Sequence, residues 1–165
     1  MKKIAMKKLI LMTVVLLFSG MALSAQGSRA FEKGYRGNVN IGGEISVTKG
    51  WPQNSVGLTT SHGYSFGDGM YLGGGLGFGI DMGGDYASIP VFFDAKYNIV
   101  DWKLSPYVDC RVGMELYVDG GECAFMASPG VGFDYRMMSF RVGYKCKAGN
   151  GFKLNAVSLS VAVNF

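Results

Sequence analysis

The last twelve residues, Leu154 to Phe165, read LNAVSLSVAVNF. Val157, Leu159, Val161, Val163 and Phe165 alternate with Ala156, Ser158, Ser160, Ala162 and Asn164. A side-chain period of two is the mark of a β-strand, here with one apolar face and one face of small, uncharged residues. The sequence closes on the aromatic Phe165.

The same alternation recurs in seven earlier segments. Val39, Ile41, Ile45 and Val47 oppose Asn38, Asn40, Glu44 and Ser46 in the first. Val56 to Phe66 and Met70 to Ile80 follow, the latter set against a run of glycines. Ile89 to Tyr97 oppose Pro90, Phe92, Asp94 and Lys96, and Val108 to Leu116 oppose Tyr107, Asp109, Arg111, Gly113 and Glu115. Phe125 to Phe133 oppose Met126, Ser128 and Asp134, and Phe140 to Cys146 oppose Arg141, Gly143, Lys145 and Lys147. Each segment has the length of about 9–12 residues that a tilted strand needs to cross a bilayer. Gly67-Asp68-Gly69 is a three-residue hairpin loop. The apolar alternation puts a second turn at Met137-Met138. Outward loops are expected at Lys49 to Gln53, Met82 to Tyr86, Val118 to Glu122 and Ala148 to Lys153.

Residues 1–25 have the form of an export signal. Lys2, Lys3, Lys7 and Lys8 precede the apolar stretch Leu9 to Phe18, and Leu23-Ser24-Ala25 offers a cleavage point. Ten apolar residues span about 15 Å as a helix, half of a ~30 Å hydrocarbon core, so a membrane anchor is not expected. Residues 26–34 then form a short lead-in, and 35–165 the barrel. The formal charge of +4 resides in the four signal lysines. The remainder is neutral, which gives a nucleic-acid partner no electrostatic support.

Which face lies inside is decided by the charges. The small-residue face carries Glu44, Asp94, Lys96, Asp109, Arg111, Glu115, Asp134, Arg141 and Lys145, and the apolar face carries no Lys, Arg, Asp or Glu in its central stretches. A Lys or Arg on a lipid face near the midplane costs about 2–4 kcal/mol. An all-β, eight-stranded antiparallel up-and-down transmembrane barrel, apolar face outward, satisfies this; a soluble lipocalin-like ligand-binding barrel would reverse the faces. Tyr35, Phe66, Tyr97, Trp102, Tyr135, Phe140 and Phe165 all fall at one end of their strands, as an interfacial aromatic belt would.

The sequence resembles the small porin-like outer-membrane β-barrels of Gram-negative bacteria, eight-stranded like OmpX and the OmpA membrane domain. The matching residues are Lys33-Gly34-Tyr35-Arg36-Gly37, Tyr71-Leu72-Gly73-Gly74-Gly75-Leu76-Gly77-Phe78, Ile89-Pro90-Val91-Phe92-Phe93-Asp94-Ala95-Lys96-Tyr97 and the terminal Phe165. The resemblance implies a place in the outer membrane, contact with its lipid and lipopolysaccharide, and insertion by the barrel assembly machinery with Phe165 as assembly signal. It implies a monomer without a cofactor. No soluble domain follows the barrel, so a peptidoglycan-anchoring role is not expected.

Eight strands leave an interior only wide enough for side chains, so the lumen charges must pair. The expected turn sets Asp134 opposite Arg141. Between the fourth and fifth strands one register sets Lys96 opposite Asp109 and Asp94 opposite Arg111, whereas a two-residue slide opposes Asp94 and Asp109. The first is expected. Glu44 and Glu115 are expected deeper, served by Lys145 or Arg111. A packed, salt-bridged plug is the expected lumen; a narrow channel is the alternative.

Catalysis is not expected. The sole histidine, His62, falls on the apolar face beside Gly74. Barrel lipid A deacylases use a His-x-Ser pattern with a nearby acid, but here His62-Gly63-Tyr64-Ser65 turns the serine to the other face. The Asp-Ser pair of the barrel palmitoyltransferases is absent from the sequence. Cys110, Cys123 and Cys146 offer no disulfide framework and no metal-ligand spacing.

Overall fold

The computed structural model describes residues 29–48, 54–83, 86–118 and 122–165. The export signal and Trp51 lie outside the described residues. Eight strands, β1 (Lys33–Ser46), β2 (Ser55–Phe66), β3 (Met70–Asp81), β4 (Ala87–Asn98), β5 (Leu104–Tyr117), β6 (Cys123–Tyr135), β7 (Met138–Gly149) and β8 (Phe152–Asn164), form the barrel. Each pairs antiparallel with the next, and β8 pairs with β1, so the sheet has no free edge. β1 reaches two residues before the expected boundary at 35.

The β2–β3, β4–β5 and β6–β7 connections lie at one end, the turn end, together with the start of β1 and the finish of β8. The expected Gly67-Asp68-Gly69 loop is present, with φ of 89° at Gly67 and 90° at Gly69. It sets His62 opposite Gly74 and Ser65 opposite Tyr71, as expected. A 3-10 turn, Arg29–Phe31, folds under this end. Ala30 is fully buried there and its carbonyl accepts a 3.2 Å hydrogen bond from Ser65 Oγ.

Two connectors differ from expectation. The β6–β7 turn is Arg136-Met137, not Met137-Met138, and Tyr135 pairs with Met138. A two-residue slide leaves every side chain on its own face, so apolar alternation cannot detect it. Stacking of Phe133 on Phe140, 5.0 Å between centroids, accompanies the observed register. At the opposite, loop end, the expected loop from Ala148 to Lys153 is a tight hairpin: Ala148 pairs with Lys153 and Gly149 with Phe152. Only Asn150-Gly151 turns, with Gly151 at φ 87°. Asn-Gly is a strong hairpin signal in its own right.

The exterior is apolar on every strand. Phe93 is 79% exposed, and Ile41, Leu76, Val91, Met114, Val131 and Leu159 are each at least half exposed. Such a continuous surface does not belong in water. Tyr35, Phe66, Tyr97, Trp102 and Tyr135 ring the turn end, all exposed.

Candidate functional site

The inward face of the barrel gathers the charges into three levels. At the turn end, Asp134 is fully buried. Arg36 Nη2 donates to its Oδ2 at 2.9 Å and Lys96 Nζ to its Oδ1 at 2.7 Å. Asn98 Nδ2 adds a bond to Oδ2 at 2.9 Å, and Ser139 Oγ donates to Oδ1. Asn164 Nδ2 in turn donates to Ser139 Oγ at 2.8 Å, which ties β8 into the cluster. The ammonium of Lys96 also lies 3.7 Å from the centroid of the Tyr107 ring, a cation–π contact.

In the middle, Arg141 donates from all three nitrogens of its guanidinium. Nε donates to Asp109 Oδ2 at 2.7 Å, Nη1 to Ser158 Oγ at 3.1 Å, and Nη2 to the Ser128 carbonyl at 2.7 Å. The fork fits because Gly130 and Gly143 flank it: a Cβ at Gly143 would lie 2.4 Å from Arg141 Nη1. Arg111 is held differently. Its Nε lies 3.7 Å from Asp94 Oδ1 and 3.8 Å from Asp109 Oδ2, within ion-pair range but beyond hydrogen-bond distance. Its guanidinium carbon stands 5.4 Å over the Phe92 ring.

Toward the loop end, two carboxylates and two ammoniums form a closed square. Lys145 Nζ lies 2.6 Å from Glu44 Oε1 and 2.9 Å from Glu115 Oε2. Lys147 Nζ lies 2.9 Å from Glu44 Oε2 and 2.8 Å from Glu115 Oε1. The square is neutral, which offsets the cost of burying four charges. Small voids of about 80 and about 20 Å³ lie between the levels. Arg111, Arg141, Asn40 and Ser160 border both.

All nine charges expected in the lumen face it, but their partners differ from expectation. The β4–β5 register is the one chosen, with Lys96 opposite Asp109 and Asp94 opposite Arg111. The Lys96 side chain nonetheless turns away to Asp134, because Asp109 is taken by Arg141. Arg141 is not opposite Asp134: it pairs with Gly132, and Asp134 with Ser139. The error follows from the two-residue slide at the turn. Glu44 and Glu115 are not deep but lie two residues from the loop ends of β1 and β5. Lys147, not Arg111, joins Lys145 in serving them. Arg36, Asn98 and Ser139 complete the shell of Asp134 beyond the expected charges. Period two carried back from Asn38 and Asn40 places Arg36 on the same face, and that signal was in the sequence.

On the lipid face, His62 is held on both sides. Thr60 Oγ1 lies 3.0 Å from the Asn38 carbonyl and 2.9 Å from His62 Nε2. The hydroxyl has one proton, and the carbonyl can only accept, so Nε2–H donates to Thr60. His62 Nδ1 then accepts from the Tyr35 hydroxyl at 2.5 Å. The three cysteines are unpaired, with Cys110 and Cys146 exposed on the exterior. Among the described residues no cluster of metal-ligating side chains occurs.

A closed eight-stranded antiparallel barrel with an apolar exterior, an aromatic girdle and a charged interior is the fold of the small outer-membrane β-barrels. No protein-family model matches the sequence, and no curated protein matches it. Solved structures do match in fold. The outer membrane enzyme PagL aligns with a TM-score of 0.61 at 14% identity, over 76% of this chain and 98% of that one. Neisserial surface protein A aligns at 0.57 and 14%, over 79% and 97%. The Yersinia pestis outer membrane protein Ail, in a phospholipid bilayer nanodisc, aligns at 0.54 and 13%, over 79% and 99%. At these identities the likeness is one of fold.

Proposed function

We propose that this protein is a non-catalytic, monomeric barrel of the outer membrane, structural or surface-presenting, with a lumen closed by its own side chains. The ladder of paired charges carries the reading: a cluster around Asp134, the Arg141–Asp109 pair and the Glu44–Lys145–Glu115–Lys147 square follow one another along the axis. An ion would have to break several buried pairs in succession to pass. Purified protein in planar bilayers shows no steady conductance on this reading. Steady conductance that changes when Arg111 is replaced would overturn it.

One observation favours the alternative, a narrow channel for small ions. Arg111 alone among the lumen cations lacks a hydrogen-bonded carboxylate, and it borders both voids. The same recording decides between the two.

The fold is shared with an enzyme, PagL. Against catalysis here stands the hydrogen bonding of His62. The Thr60 proton points to a backbone carbonyl and Nε2 is a donor, so the imidazole is not placed to activate that hydroxyl. Fatty acid released from lipopolysaccharide by the purified protein, and lost on His62→Ala, would overturn this part. The contacts proposed with membrane lipid, lipopolysaccharide and the assembly machinery follow from the barrel's place in the membrane, with Phe165 as the residue that the machinery reads.

A further inference from the structure

The seam between β1 and β8 is the one strand pair that no hairpin connects. In the other seven a turn or loop fixes the register. Here the ends of the barrel must find one another across the whole chain, at the largest loop-closure cost in the fold. Alternation excludes a one-residue slip but not a two-residue slip, which keeps every side chain on its own face and changes only the shear of the barrel. Some contact at the seam must discriminate.

The last pair of the seam supplies one. Gly37 N donates to the Phe165 carbonyl at 2.8 Å, and Phe165 N to the Gly37 carbonyl at 2.9 Å. The Phe165 ring folds back over Gly37: a Cβ there would lie 2.7 Å from ring atom Cε2 and 3.1 Å from His62 Nδ1. The His62 ring closes the far wall, edge to face with Phe165 at 6.0 Å between centroids. Tyr35 stacks on His62 at 6.1 Å and bonds its Nδ1, while Thr60 holds its Nε2. A polar ring on the lipid face is thus fixed in orientation by both neighbours, steeply inclined to the ring of Phe165.

We infer that Gly37 and His62 form a seat for the Phe165 ring that pins the register of the closing seam. Sliding β8 by two residues would set the ring over Val39 or Tyr35, whose side chains fill the space that Gly37 leaves open. His62 is then a positioning residue, which gives a role to the one histidine that the lumen does not use. The backbone hydrogen bonds of the seam are equal in both registers; the seat is not.

The test reads register directly. With Cys110, Cys123 and Cys146 replaced by Ala, the protein is refolded from urea into detergent micelles, so that no assembly machinery is involved. Asn40→Cys is combined with Ala162→Cys, its partner in the native register. Ser160→Cys and Asn164→Cys in place of Ala162→Cys report the two slipped registers. The native bridge dominates in the parent. In His62→Ala and in Phe165→Ala the ratio of slipped to native bridge rises about three- to tenfold, the factor expected for one aromatic pair. A ratio unchanged in His62→Ala overturns the proposal, whatever Phe165→Ala does. Gly37→Ala is the second arm. Its added methyl lowers the unfolding midpoint of the parent by more than that of Phe165→Ala, where only the 3.1 Å approach to His62 Nδ1 remains; an equal loss in both backgrounds overturns the seat even where a variant refolds poorly.

Discussion

Lys145 Nζ lies 2.6 Å from Glu44 Oε1, although β7 and β1 share no edge and β8 stands between them. The reach is possible because of what β8 places beneath it. Lys145 is opposite Ala156 and Glu44 is opposite Ser158. Ala156 is fully buried under the bridge. The small inward set of the terminal strand is therefore the floor over which two other strands are joined.

Enlarging that floor should break the bridge. Ala156→Leu adds volume to a filled interior, which costs about 1–3 kcal/mol. The variant should refold with a lower urea midpoint, followed by Trp fluorescence and by heat-modifiable gel mobility. A midpoint equal to that of the parent would show that the lumen has slack at this level.

The two ends of the ladder should differ in sensitivity. Asp134 has no exposed surface and receives donors from Arg36, Lys96, Asn98 and Ser139. Asp134→Asn strands two buried cations on one neutral amide, at a cost of about 3–5 kcal/mol. Glu44→Gln leaves Lys145 and Lys147 still paired with Glu115, and the Glu44 side chain is 21% exposed. Its loss should be smaller. Equilibrium unfolding of both variants checks the order, and a reversed order would contradict the accounting.

Arg136 sits in the left-handed region at φ 53°, the only non-glycine residue to do so among the described residues. An L-residue there costs about 1–2 kcal/mol relative to its preferred conformations, and glycine escapes most of this. The Arg136 guanidinium lies 5.7 Å from the Tyr135 ring, an exposed contact of about 0.5–1 kcal/mol that the substitution forfeits. Arg136→Gly should still stabilise, by up to about 1 kcal/mol, and Arg136→Val should destabilise. Unfolding midpoints of the two, shifted in opposite directions, check this.

The same turn marks what was legible in the sequence. Alternation identified the strands, their faces and the closed barrel, because each inward charge and outward valine carries that information locally. Register within a pair is not local. It was recovered at Gly67-Asp68-Gly69, where glycines fix the turn, and at β4–β5, where opposed carboxylates exclude the alternative. It was missed at Arg136-Met137, whose residues carry no turn signal. The side-chain partners were less legible still. Lys96 and Asp109 are opposite each other yet bond elsewhere, because long side chains in a narrow lumen choose among carboxylates on several strands. The Asn150-Gly151 hairpin, by contrast, was written in the sequence in plain form.

The cysteines offer a test of where the barrel sits. Cys123 opens β6 at the loop end, Cys146 lies three residues from the loop end of β7, and Cys110 lies near the middle of β5. Cys110 and Cys146 are exposed on the apolar exterior. In phospholipid vesicles a water-soluble, membrane-impermeant maleimide should label Cys123 first, Cys146 more slowly and Cys110 least, since hydrocarbon excludes both the reagent and the thiolate it needs. Single-cysteine variants followed by mass shift resolve the three rates. A barrel standing in water would leave the exterior Cys110 and Cys146 at least as reactive as the half-buried Cys123. That outcome would exclude the membrane-spanning arrangement and leave a soluble ligand-binding barrel in its place.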